Sequence, residues 1–150
     1  MRTVERDIVG GFIFSSDNRL LLGKNRSGGV YEGSFVIPGG GIDEGETKIE
    51  ALRREMLEET GIDINDAEVS ELYESKGEHE KTLHDTGERV FVKMKFYNYK
   101  IKLPLPASQV KVRADDDWTD PEWYALSDLK NLNLSPPTKE TLLETGILVT

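Results

Sequence analysis

Residues 40–62, GGIDEGETKIEALRREMLEETGI, leave this chain few ways to fold, because a glycine-rich loop runs straight into a charged helix whose two ends are both marked. Thr47 followed by Glu50 is a capping-box pattern, in which hydroxyl and carboxylate each satisfy an otherwise orphaned backbone N–H. Gly61 stands where a helix closes on a glycine. At roughly 100° per residue, Ile49, Leu52, Met56 and Leu57 share one arc, and Glu55, Glu58 and Glu59 share a neighbouring one. Such a helix packs by the first arc and holds like charges together on the second.

Carboxylates at i, i+3 and i+4 repel, each pair costing a few tenths of a kcal/mol on an isolated helix. A glutamate-rich helix is commonly a solvated face and nothing more. Here Arg54 is too little to balance the cluster, whereas a hard divalent cation with oxygen ligands suits it. Mg²⁺ is the usual ion where a few carboxylates meet a phosphorylated ligand.

The order of the residues is more specific than their charge. Gly40, Glu46, Arg54, Glu55, Met56, Glu58, Glu59, Gly61 and Ile62 fit the pattern G-x5-E-x7-R-E-U-x-E-E-x-G-U, with U a bulky aliphatic residue. At background frequencies a chance match is on the order of one in a million. On these residues the chain resembles the Nudix hydrolases. Weaker similarity extends across most of the chain, through an early hairpin, the PGGG loop at 38–41 and the WYAL segment at 123–126.

Length and composition fit that resemblance. The 150 residues suit one domain, 1–150, with 37% hydrophobic and 31% charged residues. A net charge of −9 argues against stable nucleic-acid binding or an acidic membrane surface. The absence of cysteine excludes a disulfide, a thiolate nucleophile and cysteine-ligated zinc. His79 and His84 lie in a polar stretch and are expected on a surface loop. The start, MRTVERDIVGG, carries charges where a secretory signal would be apolar, and no run reaches membrane-spanning length, so the expected location is the cytoplasm.

Along the chain, 8–14 reads as a buried strand, Ser16, Asp17 and Asn18 as a turn, and 20–22 as the second strand of a hairpin. Lys24 and Arg26 follow, either for solubility or aimed at substrate phosphates. A loop at 27–33 and a short strand at 34–37 lead to Pro38, Gly39, Gly40 and Gly41, where glycine N–H groups can face anionic oxygens. After the helix come a strand at 66–75, a mobile polar hairpin loop at 77–87, and a long alternating strand at 89–101 ended by Pro104 and Pro106. A strand at 122–126, a helical turn from Ser127 and a final helix opened by Ser135 and Pro136 complete the reading. The pattern is α+β, a mixed sheet covered on both faces; the resemblance sharpens it to an α/β/α sandwich.

The resemblance implies hydrolysis of a nucleoside diphosphate linked to a group X, with water attacking one phosphorus of the pyrophosphate. Carried over position by position, Glu55, Glu58 and Glu59 are the metal ligands, for Mg²⁺ or Mn²⁺, and Glu55 or Glu59 is the general base. Arg54 orients the carboxylates with Glu46 as its partner, or pairs along the helix with Glu50 or Glu58. Gly39 and Gly40 join Lys24 and Arg26 around the substrate. Many members add a carboxylate from a later loop, for which Asp115, Asp116 and Asp117 are the candidates and Asp117 the choice, with Glu78, Glu80 and Glu88 as competitors.

Substrate follows by elimination. No proline lies between Pro38 and Pro104, unlike the ADP-ribose branch, and no tyrosine lies in 74–96, where the diadenosine polyphosphate branch is marked. A nucleoside triphosphate, including an oxidised or otherwise noncanonical one, converted to monophosphate and pyrophosphate is the leading reading. A nucleotide sugar, or a sensor module that binds nucleotide without hydrolysing it, are the alternatives. Phe12, Tyr31, Phe35, Trp118 and Trp123 are available to stack on a base, with core packing favoured for Phe12 and Phe35. A homodimer is compatible with the resemblance.

Overall fold

The computed structural model describes residues 1–26, 28 and 31–149. Its elements are β1 (Arg2–Phe14), β2 (Arg19–Asn25), β3 (Phe35–Val36), β4 (Gly39–Gly41), α1 (Lys48–Thr60), β5 (Glu68–Thr82), β6 (Arg89–Lys102), β7 (Trp118–Ala125) and α2 (Pro136–Glu144), with short 3₁₀ turns at Ala107–Gln109 and Leu126–Asn131. Of the loop expected at 27–33, Ser27, Gly29 and Val30 lie outside the described residues, and Tyr31 to Gly33 form a turn.

The seven strands make one mixed sheet, ordered β3-β2-β1-β6-β5, with β4 paired to β1 and β7 to β2. β1 runs parallel to β6 along its whole length, from Arg2 opposite Val90 to Phe14 opposite Lys102. On its other edge β1 pairs antiparallel with β4, Ile8 to Gly41, Val9 to Gly40 and Gly10 to Gly39. This pairing carries the glycine segment into the sheet.

Alternation along the strands sends side chains to two cores, as the period of a strand requires. Val9, Ile13, Tyr99 and Ile101 pack under Ala51, Leu52 and Met56 of α1. Phe12, Phe14, Leu20 and Leu22 pack on the opposite face with Leu129 and with Leu142 of α2. The sheet is therefore covered by a helix on each face, the α/β/α layering expected.

Several boundaries differ from the sequence reading. β1 begins at Arg2 rather than residue 8, because its exposed first half still has β6 as a backbone partner. The stretch 77–82 is strand, not loop: β5 continues its ladder with β6 to Thr82 opposite Arg89, and its polar side chains suit an edge strand. Only the short turn after Thr82 joins the two. β7 begins at Trp118 instead of residue 122, through pairing of Asn25 with Trp118 across an irregularity in β2. Leu57, expected on the apolar arc of α1, is 51% exposed; it lies at the rim, and Ala51 and Thr60 complete the buried face instead.

Candidate active site

The capping box forms as its residues require. The Thr47 hydroxyl accepts from Glu50 N at 3.1 Å and the Glu50 carboxylate accepts from Thr47 N at 2.9 Å. Gly61 closes α1 in the left-handed conformation, φ 74°, with its N–H on Leu57 O. With Glu50 committed to the cap, Arg54 finds its partners elsewhere.

Arg54 is the hub of the site. Its Nε and Nη2 donate to the two oxygens of Glu46 at 2.7 and 2.9 Å, a bidentate fork, and Nη2 also donates to Gly41 O at 3.0 Å. Its Nη1 donates to Glu55 at 2.8 Å and Glu58 at 3.2 Å. Hydrogen bonding to Arg54 above all, with a second bond from Asp43 N, lowers the Glu46 pKa to about 2. The same Glu46 bond raises that of Arg54, so both ends of the fork stay charged.

Each glycine of β4 is docked by one residue of α1. Gly39 N–H donates to Glu59 Oε2 at 2.9 Å. The Glu55 carboxylate lies against the Cα of Gly40, in the space a side chain would occupy. Gly41 gives its carbonyl to Arg54. Pairing of β4 with β1 and packing of Met56 and Leu52 beneath the same strand hold the two segments in this contact.

Burial raises the pKa of Glu55 despite its hydrogen bond from Arg54, and raises that of Glu59 to about 7, with the charges of Glu55, Asp115 and Asp117 adding to the effect. Asp115 and Asp117 act here because their loop is fastened to the end of α1. Arg113 donates to Leu57 O at 2.7 Å and Glu58 O at 3.0 Å, and its N–H reaches Thr60 O at 2.8 Å. α1 has no basic residue in its own last turn, and this arginine supplies the missing cation from a distant segment. Its place in sequence, far from residues 40–62, hides that role.

Among the described residues the carboxylates do not meet in a ready-made cage, since Glu55 and Glu58 turn to Arg54 while Glu59 turns to Gly39. The donor set nevertheless fits a hard divalent cation: every candidate ligand atom is a carboxylate oxygen, and the negative charge gathered around half-buried Glu59 calls for a positive partner.

Beside this cluster, on the α2 face, opens a cleft of about 840 Å³. Gly39 belongs to both, lining the cleft while its N–H holds Glu59. Ile37, Pro38, Met94 and Phe96 give the cleft apolar walls, and Tyr31 is the expected stacking residue on its rim. Phe12 also lines it from the core. Trp118 does not: it is buried, and its indole N–H donates to Val36 O at 3.1 Å. Phe35 stacks edge-on against Tyr124, and Trp123 packs on the core beneath α1.

The basic pair is directed elsewhere. Lys24 Nζ sits over the Phe35 ring at 5.8 Å, and Arg26 reaches toward Asp120 at 4.0 Å; it is Asn25 between them that lines the cleft. Among the competing carboxylates, Glu88 is paired with Arg2 at 2.9 Å and Glu80 with Arg89 at 3.1 Å, while Glu78, Glu80 and His79 lie along the cleft. His84 is in the turn after β5.

A family model described as NUDIX domain matches residues 4–145. Nucleoside triphosphatase NudI of Escherichia coli K12 is 29% identical over 144 residues, covering 96% of this chain and 99% of that protein. Two solved structures share the fold. The dihydroneopterin triphosphate pyrophosphohydrolase of E. coli has a TM-score of 0.67 at 18% identity, covering 94% of this chain and 96% of the other. The MutT protein of Methanosarcina mazei Go1 has a TM-score of 0.65 at 17% identity, covering 97% and 96%. No helix among the described residues is long and apolar enough to cross a membrane.

Proposed function

Because the chain belongs to the NUDIX domain family, whose hydrolases generally use a divalent metal, we propose that it is a Mg²⁺-dependent pyrophosphohydrolase that converts a nucleoside triphosphate to the monophosphate and pyrophosphate. The observation that supports this reading is the double role of Gly39, which lines a nucleotide-sized cleft while its N–H holds the Glu59 carboxylate. The resemblance of nearly the whole chain to a nucleoside triphosphatase favours the triphosphate over a nucleotide sugar.

In this reading Glu55, Glu58, Glu59 and Asp117 hold the metal, with Mn²⁺ as a substitute. When bound, the cation neutralises phosphate charge and lowers the pKa of a water. The protein's own residues do the positioning, which is most of what phosphoryl transfer asks of a protein. Arg54, anchored by Glu46, fixes the directions of Glu55 and Glu58, and Gly40 lets the Glu55 carboxylate lie against the backbone without a Cβ in the way. Water oxygen bonds to one phosphorus as the bridging P–O bond breaks; Glu55 or Glu59 takes the proton, and pyrophosphate leaves with the bond's electron pair.

The test is a panel of ordinary and oxidised nucleoside triphosphates, dinucleoside polyphosphates, ADP-ribose and nucleotide sugars assayed with Mg²⁺. Pyrophosphate release from triphosphates is expected. Turnover of the sugars alone, or of nothing in the panel, would overturn the assignment.

A further inference from the structure

Strand pairing sets Ile8, Phe96 and Ser75 abreast on the floor of the cleft, with Gly10 and Asn98 in the next row. Ser75 is 7% exposed, and its hydroxyl has no hydrogen-bond partner among the described residues. The other hydroxyl in that condition, Thr119, is in β7 and does not line the cleft. A buried polar group left unmade costs free energy, and one kept at the lining of an open cleft is where a ligand atom can complete it.

Asn98 is 8% exposed and lies on the same floor. Its Nδ2 donates to Thr141 Oγ1 at 3.3 Å, and the Thr141 hydroxyl donates to Pro137 O at 3.1 Å. With its single proton given to Pro137, the Thr141 oxygen can only accept, so the amide must turn its nitrogen to α2 and its oxygen away. That oxygen lies over Gly10, where an added Cβ would stand 2.9 Å from Oδ1. A fixed acceptor and an unpaired hydroxyl thus share one floor, beside the apolar surface of Phe96 and Met94.

We propose that Ser75 and Asn98 select the base of the nucleotide. With the phosphates toward Gly39, the planar heterocycle lies against Phe96 and Met94. Asn98 Oδ1 accepts from an N–H of the base, and the Ser75 hydroxyl donates to the ring nitrogen or carbonyl beside it. The ligand class is a nucleotide whose base carries an amide or amidine edge. The inference rests on the nucleotide reading above for the direction in which the phosphates lie.

Binding by calorimetry tests this separately from turnover, using the common nucleoside monophosphates against ribose 5-phosphate, with Mg²⁺ present. In the natural protein one base is expected to bind more tightly than the others. Ser75→Ala weakens that monophosphate about tenfold, the worth of one hydrogen bond, and leaves ribose 5-phosphate unchanged. Because the substitution removes an unpartnered hydroxyl, the ligand-free melting temperature holds or rises, opposite to the loss expected if Ser75 were structural. Asn98→Ala gives the same loss of base preference; should it fold poorly, Ser75→Ala decides alone. Equal weakening of ribose 5-phosphate, unchanged binding of every nucleotide, or no base preference in the natural protein overturns the proposal. Base-selective binding that Ser75→Ala erases, in a protein that hydrolyses no triphosphate, sinks the catalytic reading and leaves this one standing.

Discussion

The carboxylate of Glu55 rests on the Cα of Gly40, filling the volume a Cβ would take. The contact joins a carboxylate of α1 to the backbone of β4, so Gly40→Ala displaces the Glu55 side chain without forcing the backbone. A misplacement of about 1 Å in such a site costs roughly 100-fold in rate. We expect kcat/KM to fall by about that factor with a melting temperature within a few degrees of the natural protein. Undiminished turnover would show that the carboxylate's position is immaterial.

Gly39→Ala is expected to fail differently. The added Cβ meets the Val9 carbonyl and stands 3.0 Å from Gly10 Cα, and backbone atoms in a paired strand cannot swing aside. A loss of roughly 1–3 kcal/mol of stability follows, measured by denaturant unfolding. Equal stability of the two alanine variants would contradict this contrast.

Arg54→Lys keeps the charge and loses the fork that spans Glu46, Glu55 and Glu58. Groups that orient ligands are typically worth 10–100-fold in metal affinity or activity. The Mg²⁺ concentration for half-maximal rate should rise about tenfold. A variant with the natural Mg²⁺ dependence would reduce Arg54 to a surface ion pair.

Glu58→Gln and Glu59→Gln should each lower kcat by roughly 10²–10⁴-fold with the fold intact by circular dichroism. Retention of full activity in either would remove that residue from the site.

Stability should report the same cluster. Burial raises the Glu59 pKa from 4.5 to about 7, so the folded state binds its proton more tightly than the unfolded state. Its contribution is present below pH 4.5 and lost as pH rises toward about 7. In chelator, the melting temperature of Glu59→Gln minus that of the natural protein should therefore grow from pH 4.5 to 7 and then level. Mg²⁺ should raise the melting temperature of the natural protein at pH 7.5 more than that of the variant. A difference flat with pH would place Glu59 in solvent.

The parts of the site legible in sequence are those written in local spacing. Thr47 and Glu50 announce the cap, and the interval from Glu46 to Arg54 encodes the fork, because a loop and a helix fix that distance between them. What could not be read depends on long-range pairing. Residues 77–82 look like a loop because an edge strand has a neighbour on one side only, so its backbone is ordered by β6 while its side chains stay polar. The cleft floor is assembled from β1, β5 and β6, and no single window contains it. Asn98 did leave a trace: it is the polar interruption of the alternating series Val90, Val92, Met94, Phe96.

The parallel seam between Arg2–Phe14 and Arg89–Lys102 also governs when this molecule can come into being. A chain leaving the ribosome can pair its first strand with β2 and β4 early, but the long parallel edge stays open until residue 102 has emerged, and the acidic helix is already outside by then. Closing so long a loop carries an entropic cost that must be met before the seam returns any energy, which slows such topologies. Segment 40–62 therefore waits on the strand made after it for its completed sheet, and a chaperone or a premature stop acting in that interval meets it before the parallel seam has closed.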